Sequence, residues 1–367
     1  MDDSNLAVRR KGDDADANER RAGERVDSSL DEAGLHAELE RAAELLFRAD
    51  REIALVARAL PHDKRYQRLD LSATRRLLER VARTTEPLGL LARLHAERAL
   101  ELELEARMAE RLGQPAFQAL AAERFPVPRG VHARRCDAFV ADALATRFEE
   151  AEKSHRSDDS ADPHSLYSNV SRRARELGLA LRIDVRAEQL ATAATGEGLV
   201  ALRPGVWLSR AASERIAVHE LLAHALPRAR ALFAPLRLFR AGTARSADHE
   251  EGRALLVEQR ANLFDAERRR ELALRHRAAL AVRDHAEPHD TVALLRALGA
   301  TRELALELGR RAHRGGGLAR EIVYLPAYFA VSDAFVLEPG LERWLERGRL
   351  DLQAARLFAD GSVRAER

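Results

Sequence analysis

His219-Glu220-Leu221-Leu222-Ala223-His224 puts two imidazoles and a carboxylate within six residues. Imidazole nitrogens bind zinc, and a carboxylate beside them can take a proton from water, so these residue types suit metal-assisted hydrolysis. The familiar arrangement is H-E-x-x-H, with its histidines four apart on one helix face. Here they are five apart. Counted from Val218 at ~100° per residue, Val218, Leu221, Leu222 and Ala225 form a core stripe, with His219, Glu220 and His224 on the other side. In a regular α-helix the two imidazoles would diverge by roughly 140°. A π-type turn, with its i to i+5 hydrogen bond, brings them into line. The spacing therefore predicts a widened turn between His219 and His224.

A catalytic zinc takes three protein ligands and leaves a fourth position for water. Downstream, Asp248-His249-Glu250-Glu251-Gly252-Arg253-Ala254 opens a helix expected to run through Asn262, and Glu251 offers an oxygen. Asp248 and Glu251 also fit a capping box, in which the glutamate only bonds backbone. Both readings stand on spacing alone. A rival pair, His285 and His289 between Asp284 and Asp290, is interrupted by Pro288 and reads as a loop with capping residues.

The elements that must position these groups are mostly helical. Periodic apolar residues predict helices over Leu35–Ala59 (stopped by Pro61), Ser72–Thr84, Leu88–Leu112, Val131–Lys153 and Leu166–Leu177. Ser154–His164 reads as a surface loop. Ala180–Val185 reads as a strand, and Leu199–Leu208 as a strand pair turning at Arg203-Pro204-Gly205. Ser209 then offers an N-cap to the helix carrying the two histidines. The glycines Gly315–Gly317 lack a following Gly-Lys-Ser/Thr and read as a flexible turn, not a phosphate loop. Val336–Phe358 reads as a closing helical segment turning at Pro339-Gly340.

Composition bounds the class. The chain has 367 residues, 46% hydrophobic and 33% charged, enough for a substantial core. Lysine plus arginine is 61 against 59 for aspartate plus glutamate, so nothing favours a nucleic-acid partner. The single cysteine, Cys136, rules out an intrachain disulfide and a cysteine zinc cage. No apolar run reaches the ~18 residues of a membrane span, and the N-terminus has no secretory pattern. The expectation is a cytoplasmic protein without membrane or nucleic-acid partners, of open oligomeric state. Residues 1–30 are expected to form a disordered tail, 31–160 a helical scaffold, 161–360 the catalytic region, and 361–367 a charged tail.

The order of motifs resembles a known family. His219–His224, the Glu251-Gly252-Arg253-Ala254 segment, and Gly315-Gly316-Gly317-Leu318-Ala319-Arg320-Glu321-Ile322-Val323-Tyr324-Leu325 look like the bacterial QEGLA-motif proteins. Those proteins are often labelled flavohemoglobin expression-modulating. They are related to the microtubule-associated tyrosine carboxypeptidases, whose hallmark is H-E-x-x-x-H. The resemblance spans about Leu35 to Phe358. It implies a predominantly helical α+β fold, with a zincin-like metallopeptidase domain whose small sheet lies beside the active-site helix. It also implies Zn2+ held by His219, His224 and Glu251, with Glu220 as the catalytic base. Two departures stand out: Arg253 replaces the family's leucine, and Leu318-Ala319-Arg320-Glu321 replaces its Phe-Thr-Lys-Asp.

On that basis zinc would bring a bound water toward a pKa of ~7 and Glu220 would take its proton. Tyr324 is the expected oxyanion donor, with an ordinary buried tyrosine as the bland reading. A peptide or protein C-terminus, as substrate, needs a cation for its carboxylate, and Arg310, Arg314 and Arg320 flank the glycine run. Any one arginine among so many is as readily a surface charge. Gly205–Leu208 offers an edge for strand addition by a substrate. The competing expectation is a helical regulatory or interaction protein whose metal site is structural or lapsed.

Overall fold

The computed structural model describes residues 32–58, 69–189 and 191–364. The tail expected over residues 1–30, the stop at Pro61 and the last three residues lie outside the described residues. The N-terminal helices are α1 (Glu32–Arg58), α2 (Ser72–Thr85), α3 (Leu90–Glu110), α4 (Pro115–Arg124) and α5 (Gly130–Ala145). Next come β1 (His155–Arg156), α6 (Leu166–Glu176), β2 (Arg182–Val185), β3 (Ala193–Gly196), β4 (Leu199–Leu202) and β5 (Trp207–Leu208). Helix α7 (Arg210–Val218) runs into a π-helical turn at His219–Ala225 and on into α8 (Leu226–Ala231). The rest is helical: α9 (Leu238–Ala241), α10 (Ser246–Arg260), α11 (Ala266–Arg283), α12 (Pro288–Ala297), α13 (Arg302–Ala312), α14 (Tyr324–Leu337), α15 (Leu341–Leu345) and α16 (Leu352–Ala359).

The predominantly helical α+β reading agrees with this order. Several elements differ from expectation. The helix expected over Val131–Lys153 ends at Ala145, where Thr146 turns extended and closes on the Asp142 carbonyl. The segment Leu199–Leu208 is not a hairpin. Its first half is the centre of a three-stranded sheet ordered β2-β4-β3, parallel to β2 and antiparallel to β3. Its second half pairs instead with β1, inside the stretch expected to be loop. Strand β3 was not expected, because Ala193-Ala194-Thr195-Gly196 carries no apolar alternation. The Val336–Phe358 segment is the exposed end of α14 followed by two short helices.

Burial explains the layers. Leu46, Leu78 and Leu102 join α1, α2 and α3 in one apolar cluster, while Leu166, Val200, Leu202 and Leu221 pack α6 and the sheet against the π turn. A larger cluster fills the space among α4, α5, α10, α11 and α14. Ser209 caps α7 by accepting from the Ala212 amide at 3.2 Å. Among the described residues no helix is long and apolar enough to cross a membrane.

Two glycine positions set how closely elements approach. A Cβ on Gly252 would lie 2.4 Å from the Ala327 carbonyl carbon and oxygen, so only glycine lets α10 rest on the α14 backbone. Gly315, Gly316 and Gly317 all take positive φ, and a Cβ on Gly315 would lie 2.7 Å from Leu112 and Phe117. The Gly315 carbonyl accepts from the Gly113 amide at 2.8 Å. The glycine run is thus a packed turn held against the α3–α4 corner. The flexible-turn expectation fails because two of its glycines are buried.

Gly252→Ala should therefore destabilise the protein by about 1–3 kcal/mol through overpacking, read as a lower midpoint in urea. A second expectation concerns His276 of α11, which is buried with no partner for Nδ1. Burial pushes this imidazole from 6.5 down to about 4. Between those values the unfolded chain holds the proton and the folded chain does not, so this contribution is present above pH 6.5 and lost as pH falls toward 4. His276→Leu should flatten the pH dependence of unfolding free energy by one proton in that window.

Candidate metal centre

The π turn does what the five-residue spacing demands. The Leu226 amide bonds the Leu221 carbonyl, five residues back, and the His219 and His224 rings come to 5.1 Å between centroids. Helix α10 brings Glu251 against them. Its Oε2 lies 3.5 Å from His219 Nε2 and 3.9 Å from His224 Nε2. Donor atoms of these three residues all lie within 4.8 Å of one another, and they are the one such group among the described residues. Glu251 does not cap α10: the N-cap is Arg245, in the left-handed region without a side-chain bond, and Asp248 pairs with Arg124 at 2.9 Å. The capping-box alternative is thereby replaced. His285 ends its helix at positive φ and His289 is exposed beside Asp290, so that pair does not converge.

Each converging group is held from behind. His219 Nδ1 meets Glu258 Oε1 at 2.7 Å, and Arg268 grips both Glu258 oxygens at 2.8 and 2.9 Å. Here burial alone would lower the imidazole, but the Glu251 and Glu258 carboxylates outweigh it and push it up to about 9. Burial would raise Glu258, yet Arg268 and His219 bring it down to about 2. His224 Nδ1 meets Glu250 Oε2 at 3.2 Å. Glu250 is held by Arg228 at 2.8 Å and by Arg349 at 3.3 Å. Arg349 reaches on to Asp50 of α1, which also pairs with Arg98 of α3. A ring nitrogen bonded to a carboxylate fixes which nitrogen keeps its proton in the neutral ring, so a metal that displaced the other proton would meet the lone pair of the opposite nitrogen. In both rings that opposite nitrogen is Nε2, on the side of Glu251.

Glu251 completes the set. Its Oε1 accepts from Arg320 at 3.2 Å, while its buried Oε2 has no hydrogen-bond partner. Despite burial, His219, His224 and Arg320 hold this carboxyl well below the usual range. Glu220 is buried on the same turn, where Thr195 of β3 donates to its Oε2 at 2.7 Å. Tyr324 is buried at the start of α14 with the Arg275 guanidinium 4.3 Å from its ring centroid. Burial and the Glu251 charge push its hydroxyl upward, so it stays protonated as a donor. Of the three flanking arginines, Arg320 touches the cluster, whereas Arg310 and Arg314 are exposed. The expected substrate edge at Gly205–Leu208 is taken, since β5 pairs with β1 and the Gly205 amide bonds Asp158 at 3.0 Å. The strand beside the π turn is β3, at the outer edge of its sheet.

Sequence reading missed Glu250, Glu258, Arg268 and Thr195. Glu258 carried a signal: seven residues after Glu251, it falls on the same helix face two turns on. A cavity of about 320 Å³ lined by Phe139, Gln259, Phe264, Arg269, Tyr328 and Phe329 shares no residue with the cluster. Donor geometry, not cavity size, locates this site.

Residues 54–363 match the family described as microtubule-associated tyrosine carboxypeptidase. No curated protein and no solved structure matches the chain.

Glu258→Gln keeps the shape but removes the charge shared by His219 and Arg268. The His219 imidazole should then titrate below its value of about 9, read by NMR of the metal-free protein. Arg268 keeps its bond to Glu271 at 2.9 Å but loses its charged partner on Glu258, which should lower stability by about 1–3 kcal/mol, read by chemical denaturation.

Proposed function

The chain belongs to the microtubule-associated tyrosine carboxypeptidase family, and we propose that it is a zincin-like, zinc-dependent metallopeptidase acting on the C-terminus of a peptide or protein. One observation carries this reading. Glu251 Oε2 is buried and unpartnered beside two imidazole Nε2 atoms, while the other polar atoms of these three side chains are bonded away. An orphaned carboxylate oxygen beside two ring nitrogens fits a divalent cation, which would displace the ring proton and satisfy all three. Two nitrogens and one oxygen suit zinc, and three protein donors among the described residues favour a catalytic site over a closed structural one.

When bound, zinc would supply Lewis acidity, activating water near neutral pH and polarising the scissile carbonyl. The chain's own groups do the rest. Glu220, fixed by Thr195, takes the proton from the attacking water and returns it to the leaving amine. Tyr324 donates to the developing oxyanion, its hydroxyl kept protonated by burial and Glu251. Arg320, with donors beyond the one on Glu251, receives the terminal carboxylate. The outer edge of β3 pairs with an extended substrate beside Glu220.

The test is metal analysis with a peptide-library digest of wild type and Glu220→Gln. Wild type should carry about one zinc and shorten peptides from the C-terminus. Glu220→Gln should keep its zinc and fold and lose at least 100-fold in rate. Equal digestion by both proteins, or no zinc in wild type, would overturn the reading.

A further inference from the structure

We infer that Arg253 is a positioning residue that holds the π turn open and so sets the angle between His219 and His224. This rests on the zinc reading above and goes beyond it. Helix carbonyls normally accept from the amide four residues on. For Ala223 that residue is Pro227, which has no N–H and whose ring would clash with the carbonyl in α geometry. The clash disfavours closing the turn to an ordinary helix, and it leaves a buried carbonyl without that donor. Arg253 supplies one. Its side chain, only 3% exposed, donates from Nη2 to the Ala223 oxygen.

The guanidinium arrives from α10, two residues past Glu251. The helix that brings the carboxylate oxygen to the cluster therefore also props open the turn bearing both imidazoles. Gly252 lies between the two and seats α10 on α14, which fixes the depth at which both side chains enter. A leucine at this position would offer no donor and would leave the Ala223 carbonyl without this bond. An arginine buried this deeply is costly unless it is bonded, and the Ala223 carbonyl with the nearby Glu250 charge accounts for its place.

The experiment measures zinc affinity by chelator competition, and the visible spectrum with cobalt in place of zinc, for wild type, Arg253→Met and Arg253→Lys. Arg253→Met should bind zinc about 10- to 100-fold more weakly and shift the cobalt spectrum, because the imidazoles diverge. Arg253→Lys, which keeps a donor, should stay within about threefold of wild type. Thermal unfolding of the metal-free proteins separates lost folding from lost aim. If Arg253→Met does not fold, Arg253→Leu, which likewise has no donor, takes its place with the same loss expected. Wild-type affinity and spectrum in the Met or Leu variant would overturn the inference while leaving the zinc reading intact. If wild type and His219→Ala bind zinc equally poorly, the zinc reading fails, and the inference falls with it.

Discussion

Two side chains five residues apart on a helix can address one point only if the helix widens between them. That constraint organises much of what surrounds it. The turn at His219–Ala225 is the widened segment. Because it departs from regular hydrogen bonding, its backbone needs help from elsewhere: Arg253 on one carbonyl, Thr195 on the Glu220 carbonyl. Both helpers come from elements remote in sequence. The local irregularity thus recruits tertiary structure, and the sheet and α10 are docked where they can provide it.

The charged groups behind the three donors follow from burial. Three ionisable groups gathered in a nearly dry site repel or desolvate one another unless counter-charges are arranged around them. Glu258 with Arg268, and Glu250 with Arg228 and Arg349, answer that need, and each carboxylate also orients an imidazole. The same charges that make burial tolerable therefore decide which ring nitrogen faces inward. Placement and electrostatics are one arrangement here.

The central residues were readable because chemistry constrains them locally. Histidines at five-residue spacing demand a particular backbone, and the order of motifs pointed to Glu251 as their partner. The helices were readable from apolar periodicity, with errors at ends such as Ala145, where no proline or glycine marked the stop. What could not be read was long-range. Thr195 sits on a strand with no alternating pattern, and β5 chose β1 over its sequence neighbour β4. Arg98, Glu101 and Arg124 are charged residues in helical stretches, yet they are buried and paired with one another and with Asp50 and Asp248. Charge alone does not announce burial; the partner does, and the partner lies far along the chain.

The line of buried charges from Asp50 through Arg349 to Glu250 changes what counts as the smallest working piece of this molecule. The motifs all lie after residue 218, and none of the three converging donors comes from the helices before residue 160. Yet Arg349 spans α1 and Glu250, and Asp248 of α10 answers to Arg124 of α4. A fragment beginning at the sheet would keep every group suited to chemistry and strand the charges behind them. The early helices are therefore the back wall of the site, and the motif-bearing half is not a module that could be moved to another chain by itself.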